Sequence, residues 1–379
     1  MSVGARNARI DMLRGASILL VLLHHFNIAY PLQDTTLAAL FGWPAVRALA
    51  RNGNYGVTVF FTISGFLITT NALRRWGRLA SIELPRFYAL RAARIVPCLL
   101  LLLCLVEVLA SMGLAMFQNR GFGEAPVSAW LTALAGLTFW MNVLIARHGW
   151  VNYPLGVLWS LSVEEVFYLA FPLTCRLLRS ERRMFVFWGL VILAGPLYRL
   201  AHQGDEAGFL YAYPACFDAI AIGCLAAVLA ARDALSWTAD RRAQGLVVLA
   251  MALLYLCWPI ASSNVTGVTV MATGTALLLL GVHRHPAATG ATGSTVGRGL
   301  AACGRLSYEI YLFHLIVLGL MRTALLPSRA AGDEKLGLMA AYLLLSVLVG
   351  GGIARGFAAP LNRRIRRWAA PDRAAGQPA

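Results

Sequence analysis

Ten apolar runs punctuate this chain, near residues 10–31, 55–73, 95–117, 157–178, 184–201, 210–231, 243–261, 264–282, 303–322 and 337–357. Each is close to the ~20 residues that a helix needs to cross ~30 Å of hydrocarbon. In lipid every backbone polar group has to be satisfied within the protein, which leaves helices or closed barrels. Long, continuously apolar runs are helical, whereas barrel strands alternate. The chain is 59% hydrophobic and only 13% charged, where a soluble domain carries about 25% charged residues. The expected fold is therefore all-α: a polytopic membrane helix bundle of about ten transmembrane helices.

A further apolar run near 129–146 tests that count. As a full span it makes eleven and sends Arg176, Arg179, Arg182 and Arg183 outside. As an interfacial or re-entrant segment it leaves ten. The basic stretches Arg6/Arg9, Arg74–Arg94, Arg176–Arg183, Arg232–Arg242, His283–Arg305 and Arg355–Arg367 then all face the cytoplasm. Positive charge retained inside favours ten spans with both termini cytoplasmic. The first run holds Asp11, Arg14 and two histidines with no small-residue cleavage site after it, so it reads as a retained span rather than a signal peptide. Residues 1–367 form one transmembrane domain, and 368–379 a short disordered tail.

The net charge of +16 is almost wholly arginine, Lys335 being the only lysine. Its scatter between membrane segments argues against a nucleic-acid partner. The seven cysteines stand singly, without CxxC or other metal-ligand spacing, so neither a zinc site nor a disulfide frame is expected.

Polar residues inside the apolar runs are the candidates for function, because they are costly there. Arg14 and His25 are eleven residues apart in the first run, which places them within about 20° of one another on a helix and roughly 16 Å apart along it. Arg14 alone could snorkel to the interface, with Asp11 beside it. His25 lies too deep for that, and imidazole is the usual general base near neutral pH. His24 points about 80° away from the stripe.

Arg86, Arg91 and Arg94 in PRFYALRAARIVP precede the third span, with Arg91 and Arg94 on one helical face. Together with Arg74, Arg75 and Arg78 they suit either acidic lipid headgroups or a phosphorylated cytoplasmic ligand, since guanidinium forks bind phosphate bidentately. In WSLSVEEVFY, Glu164 and Glu165 diverge by about 100°, and Glu164 shares a face with Tyr168. Ser307, Tyr311 and His314 form a polar stripe in GRLSYEIYLFH. Ser64-Gly65 supplies small residues inside the second span.

Six pieces in this order, IDMLRG…HHF, VTVFFTISGFLI, RFYALRAARIVP, WSLSVEEVFYLAFP, FDAIAIGCLAA and GRLSYEIYLFH, resemble the acyltransferase family 3 membrane O-acyltransferases over residues 10 to about 314. The resemblance implies a multi-pass enzyme of the bacterial inner membrane. It would move an acyl group, typically acetyl, from cytoplasmic acyl-CoA to a hydroxyl of a saccharide, lipid-linked glycan or secreted small molecule. Acyl-CoA, most often acetyl-CoA, would be a co-substrate, with no bound cofactor and no metal.

On the family's motifs, His25 falls on the general base or acyl carrier, Glu164 on its acidic companion, and Arg14, Arg91 and Arg94 on the acyl-CoA site. Ser64, Tyr168, Ser307, Tyr311 and His314 are secondary candidates. Two departures stand out: Cys216 where many members have arginine two residues before the aspartate at Asp218, and Ala358-Ala359-Pro360 where many have Glu-Arg-Pro. The extra C-terminal hydrolase-like domain of some members is not expected here. A transporter or flippase for a glycan or small anion is the competing reading, because it would use the same arginines without acyl transfer.

Overall fold

A computed structural model describes residues 7–120, 126–284 and 294–369; the tail after residue 369 lies outside these. Among the described residues every regular element is helical. The first span is α1 (Ala8–Ala29), opened by Asn7, whose side chain accepts from the Arg9 amide at 3.0 Å. Two short helices, α2 (Thr36–Phe41) and α3 (Trp43–Ala50), lead into α4 (Gly53–Trp76). The next helix, α5 (Leu84–Ser111), is 28 residues long, about 42 Å. That length carries Arg86, Arg91 and Arg94 on the first turns of the third span itself, rather than in a loop ahead of it.

The ambiguous segment does not span. It breaks into α6 (Ala129–Leu137) and α7 (Met141–His148), of nine and eight residues, because Phe139 takes a left-handed φ of 63° between them. Nine residues reach only about 14 Å. Beyond it lie α8 (Leu158–Leu178), α9 (Glu181–Ala201), α10 (Tyr213–Ala231), α11 (Arg241–Cys257) and α12 (Ile260–Arg284).

After these, α13 (Thr295–Arg305) and α14 (Ser307–Ala324) meet at an 80° bend. The polar stripe expected on one continuous helix therefore starts at a helix N-terminus, with Gly304 and Arg305 on the other side of the bend. Last come α15 (Glu334–Ile353) and, through a wide turn at Ala354–Ala358, the basic α16 (Ala359–Ala369). Among the described residues eight helical segments are long and apolar enough to cross a membrane, and the bent α13–α14 pair makes a ninth. The remaining expected span, near 243–261, is α11, which has 17 residues, about 26 Å. The chain is a multi-pass membrane protein with an all-helical bundle.

Small residues set the centre of the bundle. A Cβ at Gly65 would overlap the Ile220 carbonyl, and one at Gly223 the Thr62 carbonyl, so α4 and α10 touch backbone to backbone. Gly15 against Leu300 and Gly304 against Asp11 do the same for α1 and α13. In contrast α9, α11 and α15 turn Leu190, Leu193, Leu197, Leu246, Leu249, Leu344 and Leu348 outward. In a bundle of spanning helices that face meets lipid.

Candidate active site

Helices α1, α4, α5, α8, α14 and α16 surround a cavity of about 500 Å³. Its polar floor is built from one turn each of α4, α5 and α8. The Ser64 hydroxyl donates to Glu164 Oε1 and accepts from the Tyr168 hydroxyl. Arg91 Nη2 donates to Glu164 Oε1 at 2.8 Å and to Glu165 Oε1 at 2.6 Å, and Nε reaches Glu165 at 3.0 Å. The guanidinium stacks 3.6 Å from the centre of the Tyr168 ring, a cation–π contact that orients it further. The 100° step between neighbours decides the two glutamates: Glu164 lines the cavity beside Tyr168, whereas Glu165 is buried behind Arg91.

One end of the cavity is strongly basic. Arg14, Arg74, Arg75, Arg94 and Arg366 line it together with Arg91, and among the described residues Glu164 is the one acidic side chain in its walls. Like charges drawn to one concavity favour an anionic ligand. The other end is closed by α14 and α8. Tyr311 Oη and Ser160 Oγ share a hydrogen bond of 2.6 Å, and the Tyr311 ring lies edge-on to Phe60 at 6.3 Å between centroids.

Behind this wall sits a histidine pair. Neither His25 nor His314 is among the cavity walls; the His314 ring is 5.8 Å from Tyr311 and 5.0 Å from His25. His314 Nδ1 lies 2.7 Å from the Tyr311 carbonyl, so it carries the proton and leaves Nε2 as an acceptor. That Nε2 is 3.3 Å from His25 Nδ1, which also lies 3.0 Å from the Val21 carbonyl. Both partners are acceptors, so the proton of a neutral His25 sits on Nδ1 and the lone pair on Nε2.

Of the residues predicted from sequence, Arg14, Ser64, Arg91, Arg94, Glu164, Tyr168, Ser307 and Tyr311 meet in the one cavity. His25 and His314 meet each other. Two expected partnerships take a different form. Glu164 bonds Ser64 and Arg91 rather than orienting His25, and Arg91 is engaged by the two carboxylates rather than held open for a phosphate. The stripe from Arg14 to His25 runs from the cavity to the histidine pair.

Sequence reasoning passed over Ser160, Arg366 and Arg199. Ser160 was detectable, since Ser160, Glu164 and Tyr168 recur at four-residue steps on α8. Arg366 sits in a basic helix with no local sign of a site. Arg199 of α9 is fully buried and forms a bidentate pair with Asp218, at 3.0 and 2.8 Å, braced by Thr269. The partner that Cys216 cannot supply thus comes from a neighbouring helix. No group of three or more His, Cys, Asp or Glu residues able to hold a metal occurs among the described residues.

A family model described as an acyltransferase domain matches residues 7–355. Among curated proteins, the peptidoglycan O-acetyltransferase OatA of Listeria monocytogenes is 24% identical over 327 residues, covering 82% of this chain and 49% of that protein. The O-acetyltransferase OatA of Staphylococcus aureus is 23% identical over 325 residues, covering 80% and 49%. The chain spans about half the length of these relatives. No solved structure matches it.

Proposed function

Because the chain belongs to acyltransferase family 3, its match running from residue 7 to 355, we propose that it is a membrane O-acyltransferase drawing acyl groups from a cytoplasmic acyl-CoA, with acetyl-CoA as the donor. The acceptor is a hydroxyl of an envelope saccharide, the class named in the peptidoglycan-acting relative. Orientation follows the basic residues: the termini and the arginine-lined end of the cavity face the cytoplasm of a bacterial inner membrane.

The observation that carries this reading is the pairing of an arginine-lined cavity with a hydrogen-bonded histidine couple just past its inner wall. Acyl transfer to an alcohol needs a bound thioester, a base or nucleophile and a stabilised oxyanion. Arg94, Arg74, Arg75 and Arg366 attract the donor's phosphates. His25 Nε2, its lone pair set by Val21 and His314, takes the acceptor's proton or carries the acyl group. Glu164 and Arg91 shape the passage between, with Ser64 and Tyr168 holding the carboxylate.

Reconstitution tests this. Purified protein in vesicles, given acetyl-labelled acetyl-CoA on one side and peptidoglycan fragments on the other, should release CoA and label the saccharide in equal amounts. Labelling should require the donor on the side of the arginine-rich mouth. Saccharide movement without CoA release would favour the transporter reading instead.

A further inference from the structure

At the 80° bend between α13 and α14 a helix begins in the wall of the cavity. The residue before it, Leu306, offers no side-chain hydrogen bond to the first turn. The first turn of a helix carries amide protons without intrahelical acceptors and the positive end of the macrodipole. Ser307, the first helical residue, is 1% exposed; its hydroxyl lacks a hydrogen-bond partner, and the residue lines the cavity. A buried hydroxyl without a partner is destabilising, and a ligand atom at this point would offset that.

The cavity that Ser307 lines is rich in arginine. Arg14 of α1 lines the same cavity, and the bend is pressed against its helix, because Gly304 abuts the Asp11 carbonyl so closely that a Cβ would not fit. Arg94 of α5 lines the cavity too. Glu309, the acidic residue of the α14 first turn, is not among the lining residues.

We propose that the α14 N-terminus, the Ser307 hydroxyl and Arg14 form a phosphoryl subsite that holds the inner phosphate of the acyl donor. This rests on the acyl-CoA reading above and deepens it by naming which part of the donor each element meets. Helix N-termini bind phosphate by the same combination of free amides and dipole. The spacing is apt, since Ser307 to His314 is seven residues, about 10 Å along α14. A phosphate anchored at the bend lets the thioester arm run along α14 past Tyr311 toward the histidine pair.

The test uses full-length protein in phosphatidylcholine nanodiscs and measures binding of CoA, 4′-phosphopantetheine and pantetheine. Wild type should bind 4′-phosphopantetheine more tightly than pantetheine by about tenfold or more, the scale of one hydrogen bond to a charged group. Ser307→Ala should weaken CoA and 4′-phosphopantetheine by about tenfold and leave pantetheine unchanged, and Ser307→Thr should retain the preference. Equal weakening of all three ligands by Ser307→Ala, or no weakening, overturns the subsite while leaving the donor reading intact. Absence of CoA binding to folded wild type removes the donor reading and the subsite with it. Addition of phosphatidylglycerol separates the two phosphate sources: if it abolishes the phosphoryl preference, the site belongs to lipid headgroups and the proposal fails.

Discussion

At the scale of residues, the carbonyl partners of the histidine pair place a proton on each Nδ1. His314 is fully buried, and its two ring nitrogens face one carbonyl and one imidazole. Replacing it with phenylalanine keeps the bulk and removes the acceptor for His25 Nδ1. We expect His314→Phe to lower kcat by about 10–100-fold with little change in donor KM, because a supporting partner orients a reactive group without binding substrate. A matched fall in affinity would mean that His314 shapes the donor site instead. The residues of the cavity were largely legible in the sequence, since ionisable and hydroxyl side chains inside apolar runs have few structural excuses. Their partnerships were not. Nothing local to Arg91 says that two glutamates more than seventy positions later will engage it. Nor does anything near His25 name His314, 289 positions away.

At the scale of elements, the Arg199–Asp218 pair ties α9 to α10, and Thr269 ties both to α12. Both charges are fully buried. Removing one leaves the other uncompensated, at a cost of about 3–5 kcal/mol, whereas replacing both with apolar residues of similar size is near neutral. Asp218→Leu and Arg199→Met should therefore each lower the thermal unfolding midpoint markedly, and the double variant should recover most of the loss. Additive losses in the double variant would contradict this account. Helix positions were readable because apolar runs of spanning length have few alternatives in lipid. The fate of 129–146 was not, because its break depends on the backbone of Phe139, a residue with no special turn propensity. Likewise the bend at Leu306 lies inside an apolar run and follows from the close seating of α13 on α1, which hydropathy does not register.

At the scale of the whole molecule, the two ends of the bundle differ. The arginine-lined mouth marks one end, and a clasp between the α1–α2 and α14–α15 connections marks the other. There Lys335 Nζ donates to Asp34 at 2.6 Å and to the Pro31 carbonyl at 3.0 Å, while the Asp333 carboxylate accepts from the Thr36 amide and hydroxyl. The Lys335 hydrogen bond and the Gly332 amide hold the Asp34 carboxyl below its usual range, and Thr36 does the same for Asp333. A carboxyl lowered in the folded state stabilises the fold fully above its unfolded value, near pH 4, and loses that contribution as pH falls through the folded value. Thermal stability should therefore drop in steps below about pH 4, and Lys335→Met should shrink the step; an unchanged step would exclude the clasp. The overall bundle was legible from hydropathy, but its exact number of spans was not, since α11 is short and α13–α14 is bent. The central claim is a division of labour, with the donor bound in the cavity and transfer carried out by the histidine pair behind it. Parallel measurement of CoA binding and acetyl transfer in His25→Ala tests it most directly. Turnover should fall by about 10²–10⁴-fold, the usual worth of a general base, with CoA affinity unchanged. Transfer at wild-type rate, or loss of CoA binding together with transfer, would contradict it.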